Sequence, residues 1–280
     1  MSRYPELKGK VALITGAGRA GGLGEGIARR LAAEGCRVVV TDIGHVRGAE
    51  MPASAVGSNE ALEQVAAAIV AEGGDCTAIT LDVLEEAQVQ AAIADVVARF
   101  GGLDILVNNA GIGYLMKPII EMEASEWDAV LGVNLRGGFL CMKHAAKAMI
   151  AQGRGGRIVN IASQAAKSAF PFASAYCSSK HGLVGLTRVG AVELGQHGIT
   201  VNAICPNHVT TGLGAWQNEY FAKAQGVSVE EYLAAMRKRI PLGRPGLPDD
   251  TAAACAFLCS DDANYVTGEA MNVSGGEENH

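Results

Sequence analysis

The sequence has few aromatic residues, no long apolar run and no block of basic residues. Aromatics make up 5% of the 280 residues, and no run approaches the length of about 18 apolar residues expected of a membrane span. The opening MSRYPELKGK lacks the apolar core of a secretion signal. Basic and acidic residues are interspersed, with a net charge of −6. We therefore expect no membrane or nucleic-acid partner, and a cytoplasmic location.

The cysteines also lack a pattern. Seven are scattered along the chain, with no CxxC pair and no histidine at zinc-site spacing. Cys255 and Cys259 lie four apart on a predicted helix, a spacing that a metal pair can use, but small core residues are the favoured interpretation. The sequence predicts reduced thiols and no metal site.

What the chain has in abundance is glycine, 36 residues, and hydrophobic residues, 49%. Short β-branched runs alternate with Ala-rich stretches of helical period, which is typical of an α/β fold with one parallel sheet and helices on both faces. The predicted strands are Val11–Thr15, Val38–Thr41, Thr77–Leu81, Ile105–Val107, Ile158–Ile161, Thr200–Ile204 and Met271–Val273. The predicted helices are Ile27–Ala33, Ala61–Ala71, Ala87–Phe100, Trp127–Ile150, Ala175–Leu194 and Thr251–Cys259.

Two segments fall outside this alternation. Residues Gly44–Ser58 lengthen the connection after the second strand, and Gly212–Arg239 separate the sixth strand from the last helix. Such excursions beyond the carboxyl edge of a parallel sheet usually shape a ligand crevice. No linker or repeat divides the chain, so we predict one doubly wound domain over residues 1–280, with 212–239 as a substrate lid.

A glycine-rich turn, TGAGRAGGLGEGIA, follows the first predicted strand and opens a helix. Glycines let a backbone approach a pyrophosphate, which free amides and the helix dipole then stabilise. Two glycine spacings are possible, one using Gly16, Gly18 and Gly21 and the other Gly18, Gly22 and Gly24. The turn predicts a dinucleotide site with an open register.

Asp42 ends the second predicted strand, where a carboxylate can accept hydrogen bonds from both adenosine ribose hydroxyls. It also repels a ribose 2′-phosphate, which favours NAD over NADP, although Arg19 in the glycine turn can partly offset that repulsion.

Tyr176 and Lys180, in YCSSK, lie four residues apart and so share one face of a helix. An ammonium beside a phenol favours phenolate, as does a positively charged nicotinamide. Tyr176 can then exchange a proton with an alcohol as hydride moves. Ser163 follows the fifth strand, where its hydroxyl can polarise the substrate oxygen, and Asn134 can hold a water that connects Lys180 to solvent.

These residues together resemble the classical short-chain dehydrogenase/reductase family, over nearly the whole chain. The similarity lies at TG…GLG, LDV, NNAG, Asn134, Ser163 thirteen residues before Tyr176, YCSSK, PLGRPGLPDD and YVTGEAMNVSGG. The resemblance implies an Asn134, Ser163, Tyr176 and Lys180 tetrad and, as in many members of the family, a homotetramer.

The resemblance also implies cofactor contacts. Asp82 and Val83 are expected to flank adenine, and Asn109, Ala110 and Gly111 to line the cofactor channel. In CPNHVTTG, Pro206, Val209 and Thr211 match the segment that holds the nicotinamide carboxamide, whereas Asn207 stands where the family usually has Gly. The remaining predicted cofactor contacts lie in the glycine turn, at the end of the second strand and in YCSSK. They are Gly16, Gly18, Gly22, Leu23, Gly24, Asp42, Ile43, Tyr176 and Lys180.

Candidate substrate contacts lie around the predicted tetrad. They are Gln164, Phe170, His208 and Trp216. Tyr220 and Phe221 accompany Trp216, and this aromatic group can equally anchor the lid to the domain.

The predicted function is an NAD-dependent oxidoreductase that interconverts a secondary alcohol and a ketone, the substrate being a polyol, sugar, cyclic alcohol or hydroxy acid. An NADPH-dependent ketone reductase and a non-catalytic dinucleotide-binding sensor remain alternatives. An epimerase or dehydratase of the extended branch would need a further carboxyl-terminal domain, for which about a hundred residues after Tyr176 leave little room.

Overall fold

Seven parallel strands form one sheet in the order β3-β2-β1-β4-β5-β6-β7. The computed structural model describes residues 2–47 and 56–279. The strands are β1 Val11–Thr15, β2 Arg37–Asp42, β3 Asp75–Thr80, β4 Ile105–Asn108, β5 Gly156–Ile161, β6 Ile199–Pro206 and β7 Ala270–Val273. All seven predicted strands are present, with ends that differ by a residue or two.

The sheet reverses its order next to β1. β2 pairs on one side of β1 and β4 on the other, with Leu13 opposite Val39 and Leu106. Every residue of β1, β4 and β6 is buried, because helices cover both faces. In such a sheet the crevice at the carboxyl ends of β1 and β4 is the usual ligand site.

The described residues form nine α-helices. They are α1 Leu23–Ala33, α2 Asn59–Ala71, α3 Glu86–Phe100, α4 Ala124–Leu131, α5 Gly138–Gln152, α6 Ser174–Leu194, α7 Gly212–Gln225, α8 Val229–Arg239 and α9 Pro248–Cys259. The single helix predicted over Trp127–Ile150 is wrong in one respect: a π-helical turn, Gly132–Gly137, separates α4 from α5. The apolar positions of α4 and α5 follow one another in the sequence without a gap, so their spacing alone does not predict this break.

The two predicted excursions differ in what the structure describes. After β2, Gly44 and Ser58 form a parallel bridge, while residues 48–55 of the predicted Gly44–Ser58 segment lie outside the described residues. The segment predicted as a lid contains α7 and α8. Gly226 ends α7 at a φ of +67°, and Ser228 begins α8 through a reciprocal capping box with Glu231.

Two apolar layers cover the sheet. On one face Ile14 packs with Ile27 of α1 and Cys255 of α9, and on the other Leu13 packs with Val89 of α3 and Met149 of α5. All seven cysteines are free thiols, and every one except Cys76 is buried. Across residues 2–47 and 56–279, none of the helices combines the length and apolar character required to cross a bilayer.

Candidate active site

The glycine-rich turn packs closely against the segment that follows β4, the strand beside β1 in the sheet. Gly16 has a φ of +66°, and a β-carbon there would lie 2.6 Å from Ala110 Cα. A β-carbon on Gly24 would lie 2.6 Å from Asn109 Nδ2, whereas Gly21 has open space around it. Because α1 begins at Leu23 with Gly22 as its N-cap, Gly24 is the glycine that brings the helix against the sheet.

Hydrogen bonds hold this turn in place from two sides. Asn109 Nδ2 donates to the carbonyl oxygens of Thr15 and Gly16, both at 2.8 Å. Glu25, buried in α1, accepts from the Gly21 amide at 2.6 Å. Glu25 carries no mark in the sequence pattern, yet it fixes the shape of the turn together with the Thr15 carbonyl.

Asp42 lies at the end of β2 and contacts the same turn. Its two carboxylate oxygens accept from the amides of Gly18, at 2.9 Å, and Ile43, at 2.8 Å. Burial is the largest influence on the Asp42 carboxyl and raises its pKa, while these amides act against that. Arg19 Nη1 donates to the Tyr114 hydroxyl at 2.9 Å, so its guanidinium is already engaged across the cleft.

A cleft of about 850 Å³ opens between the turn and the ends of β1, β2 and β4. Of the predicted cofactor contacts, those that line it are Gly16, Gly18, Gly22, Leu23, Gly24, Asp42, Ile43, Asp82, Val83, Asn109, Ala110, Gly111, Tyr176, Lys180 and Thr211. Pro206 and Val209 line a neighbouring pocket instead. The side-chain-free glycines and the carboxylate at one end fit an extended dinucleotide.

The predicted catalytic side chains meet at the inner end of this cleft. Tyr176 and Lys180 lie on α6, with Lys180 Nζ 5.8 Å from the centre of the Tyr176 ring. Ser163, after β5, hydrogen-bonds the Tyr176 hydroxyl. Lys180 Nζ donates to the Ile161 carbonyl oxygen at 2.8 Å. The four-residue spacing on α6 thus places the phenol and the amine side by side, as predicted from the helix period.

Burial shifts the pKa values of Tyr176 and Lys180 in opposite directions. It raises the pKa of Tyr176 and lowers that of Lys180 to about 8, because a low-polarity site disfavours either charged form. That Lys180 makes the phenol more acidic stays a prediction, because the shift of the Tyr176 pKa seen here comes mainly from burial and Ser163. The influence that lowers the Tyr176 pKa here is the hydrogen bond from Ser163.

Asn134 occupies the π-helical turn and is buried. Its side-chain oxygen accepts from the Ile112 amide at 2.8 Å, and its amide group donates to the Ile112 carbonyl and to Ser179 Oγ, both at 3.0 Å. The side chain therefore ties the segment after β4 to α6. Since both of its amide hydrogens are engaged, this side chain can hold the predicted relay water only through the second lone pair of its oxygen.

A second pocket of about 320 Å³ opens beside Ser163 and Tyr176 and shares Tyr176, Thr211 and Leu213 with the cleft. Three of the predicted substrate contacts, Gln164, Phe170 and His208, line it. Burial lowers the pKa of His208, which favours the neutral imidazole. Because Tyr176 borders both this pocket and the larger cleft, this pocket is the candidate substrate pocket.

Trp216 lies elsewhere than predicted. It lines the larger cleft rather than the candidate substrate pocket, where it stacks on Tyr220 at 5.3 Å between ring centroids and meets the edge of Tyr114 at 5.2 Å. Tyr220 in turn donates to the Met116 carbonyl at 3.0 Å. The aromatic group therefore ties α7 to the segment after β4, which is the lid-anchoring alternative.

Two charged residues of the candidate substrate pocket went unnoticed in the sequence. Glu277, four residues after β7, and Arg239, the last residue of α8, both line it. They come from parts of the chain that only the folded sheet brings together. The one available signal was an acidic pair directly after the SGG that follows the last strand.

A reversed strand order with a glycine turn in its crevice defines a Rossmann-type dinucleotide fold. A family model described as enoyl-(acyl carrier protein) reductase matches residues 16–278. Galactitol 2-dehydrogenase of Agrobacterium fabrum is 39% identical, over 96% of this chain and 98% of its own. D-threitol dehydrogenase of Mycolicibacterium smegmatis is 41% identical, over 96% and 93%.

Among solved structures, a variant of actinorhodin polyketide ketoreductase with NADPH is similar at a TM-score of 0.87. It is 38% identical, with 97% of this chain and 98% of that chain covered. The chain belongs to the classical short-chain dehydrogenase/reductase family, in which these relatives act on alcohols or ketones.

Proposed function

We propose that the protein is an NAD-dependent oxidoreductase that interconverts a secondary alcohol and a ketone. The observation that carries this proposal is the position of the Tyr176 hydroxyl. It is hydrogen-bonded to Ser163 and lies on the wall shared by the cofactor-sized cleft and the smaller pocket. A proton-transferring group at that junction can reach a substrate oxygen in one pocket while the other holds the dinucleotide.

Each side chain of the tetrad has a part that follows from its contacts. Tyr176 is the proton acceptor in alcohol oxidation and the donor in ketone reduction. Ser163 orients and polarises the substrate oxygen from beside the phenol. Lys180, anchored on Ile161, is the next group for the proton, and its pKa of about 8 lets it exchange one near neutral pH. Asn134 positions α6 through Ser179.

The bound dinucleotide would supply the hydride acceptor or donor. The glycine turn and Asp42 would hold its adenosine half, and Thr211, which caps α7 by accepting from the Gly214 amide at 3.2 Å, would border the nicotinamide half. Asp42 favours NAD, because a carboxylate accepts from ribose hydroxyls and repels a 2′-phosphate.

Replacing Tyr176 by Phe tests the proposal. The change removes only the transferable proton, so we expect kcat to fall by about 10²- to 10⁴-fold while NAD still binds. Turnover is followed by absorbance of the reduced cofactor over a panel of secondary alcohols and ketones, and NAD binding by calorimetry. Tyr265→Phe, at a fully exposed tyrosine, is the matched control. Loss of NAD affinity together with activity in Tyr176→Phe contradicts the assigned role.

An NADPH-dependent ketone reductase is the second candidate, and the structural relative solved with NADPH favours it. The same assay separates the two by the ratio of kcat/KM for NADPH and NADH. A non-catalytic sensor would instead bind dinucleotide tightly and turn over nothing in the panel.

A further inference from the structure

Glu277 lies at one end of the candidate substrate pocket, and the next residue, Glu278, holds it there. Glu278 is buried, and its Oε2 accepts from Ser168 Oγ at 2.7 Å and from Gln164 Nε2 at 3.2 Å. Its backbone carbonyl also accepts from Ser274 Oγ at 2.9 Å. This residue therefore fastens the segment after β7 to the loop that follows Ser163, so that the preceding residue has a fixed position.

Glu277 lines the pocket itself, and its side chain is 18% exposed. Oε1 accepts from Arg239 Nε at 3.1 Å, and Oε2 accepts from the side-chain amide of Asn207. Asn207 stands where the family usually has Gly, and its side chain, which a glycine would lack, is the one that donates to Glu277. A carboxylate has about four lone-pair positions, and these two contacts leave it able to accept further hydrogen bonds.

The polar side chains around this carboxylate leave the end of the pocket nearly neutral, beside Tyr232 and Met236 of α8. Arg239 offsets the charge of Glu277, and His208 is kept neutral by burial. Gln217 and Gln225 of α7 add amide donors and acceptors to the lining. A substrate carboxylate would be repelled by Glu277, whereas a hydrocarbon end would leave the remaining lone pairs of Glu277 without donors. Uncharged hydroxyl groups satisfy both donors and acceptors.

We propose that Glu277 is a specificity-determining residue that accepts hydrogen bonds from hydroxyl groups beyond the reacting carbinol, and so selects small uncharged polyols. This inference rests on the proposed alcohol–ketone function and narrows its substrate class. Ser163 and Tyr176 hold the reacting oxygen at one end of the pocket, and Glu277 holds a remote hydroxyl at the other.

A series of four-carbon alcohols tests the inference at constant chain length. The substrates are 2-butanol, 2,3-butanediol, threitol and 3-hydroxybutyrate, assayed with NAD, and the corresponding ketones with NADH. For the wild type we expect kcat/KM to rise with the number of hydroxyls and to be low for the carboxylate. A hydrogen bond to a charged group corresponds to roughly 10- to 100-fold in kcat/KM.

The informative variant is Glu277→Gln, which keeps the size of the side chain and removes its charge. We expect kcat/KM for threitol to fall about 10-fold or more, mainly through KM, while that for 2-butanol changes by less than about 2-fold. Arg239→Gln removes the same ion pair but keeps the carboxylate, so the ratio of threitol to 2-butanol should stay high. A purely structural ion pair would instead make the two variants behave alike on every substrate.

The outcomes separate the inference from the function on which it rests. If the wild type turns over 2-butanol as efficiently as threitol, or if Glu277→Gln lowers kcat/KM equally for all four alcohols, the inference is overturned and the alcohol–ketone function stands. If the wild type turns over no member of the series but does turn over other alcohols of the wider panel, the inference alone is overturned; if it turns over nothing in either set, both the inference and the proposed function are overturned.

Discussion

Asp42 has two tasks that the sequence showed only in part. Its position after β2 predicted a ribose-binding carboxylate, but the structure adds that the same carboxylate holds the Gly18 amide. A β-carbon on Gly18 would come within 2.8 Å of the Asp42 side chain, which explains why a glycine stands there. The proposed cofactor choice and the shape of the turn therefore depend on one residue.

Asp42→Ala should shift cofactor preference toward NADP. The carboxylate that repels a 2′-phosphate is lost, so we expect the ratio of kcat/KM for NADP over NAD to rise by about 10-fold or more. Asp42→Asn, which keeps an acceptor for the Gly18 amide, separates charge from loop support. An unchanged ratio in both variants would contradict a role for this residue in cofactor choice.

Gly24→Ala should damage both folding and cofactor binding. The added β-carbon would meet Asn109 Nδ2 at 2.6 Å and Ala17 Cα at 2.7 Å, and overpacking of this kind costs about 1–3 kcal/mol. The measurements are the free energy of unfolding in urea and NAD affinity by calorimetry. Gly195→Ala is the control, since its added β-carbon meets nothing within 4 Å; equal effects of the two changes would refute the packing argument.

At the scale of elements, sequence patterns located the strands better than the breaks within helices. Alternation and β-branched runs found every strand, because buried parallel strands have a strong apolar signal. The π-helical turn between α4 and α5 went unpredicted, because it inserts a residue into a helix without interrupting the apolar face. The split of the lid was detectable: Gly226 and the Ser228…Glu231 capping box mark the end of α7 and the start of α8.

The packing of α3 on α5 predicts a specific acid dependence. Glu86, the first residue of α3, accepts from Lys143 at 2.7 Å and contacts His144 at 3.0 Å. These partners lower the Glu86 pKa to about 2. A depressed carboxyl pKa stabilises the fold above the unfolded value of about 4.3, and this stabilisation is lost as the pH falls toward 2.

Glu86→Gln should therefore cost stability at neutral pH and progressively less below about pH 4.3. Urea unfolding at several pH values between 7 and 2 measures the difference from the wild type. Glu193→Gln, at an exposed carboxylate of α6, is the control. A difference that stays constant over this range would rule out the ion-pair account.

At the scale of the whole molecule, the class of fold and the meeting of Ser163, Tyr176 and Lys180 could be predicted, because both depend on local order along the chain. Strand ends lie at one edge of a parallel sheet, and a four-residue spacing fixes neighbours on a helix. Glu277 and Arg239 could not be predicted, since their contact depends on how α8 and the end of the chain pack across the pocket. The proposed substrate selection by Glu277 depends on these long-range contacts.

The homotetramer remains a prediction from family resemblance. Phe139 on α5 and Val189 and Val192 on α6 are apolar and exposed, which supports contacts between these helices and other copies of the chain. Light scattering measures the mass directly. A monomer at all concentrations, or a Val192→Glu variant whose mass equals that of a wild-type tetramer, would count against this face as an interface.

The free thiols give the molecule an internal reporter of its own opening. Burial raises the pKa of Cys141 to about 12, so alkylation of this thiol by iodoacetamide should proceed only when the fold opens. The fraction of protein whose mass shows alkylation then measures how often the fold opens. A dinucleotide that binds only the native state must slow the labelling, and more so the tighter it binds. Cofactor preference can thus be ranked by mass spectrometry before a single substrate is known.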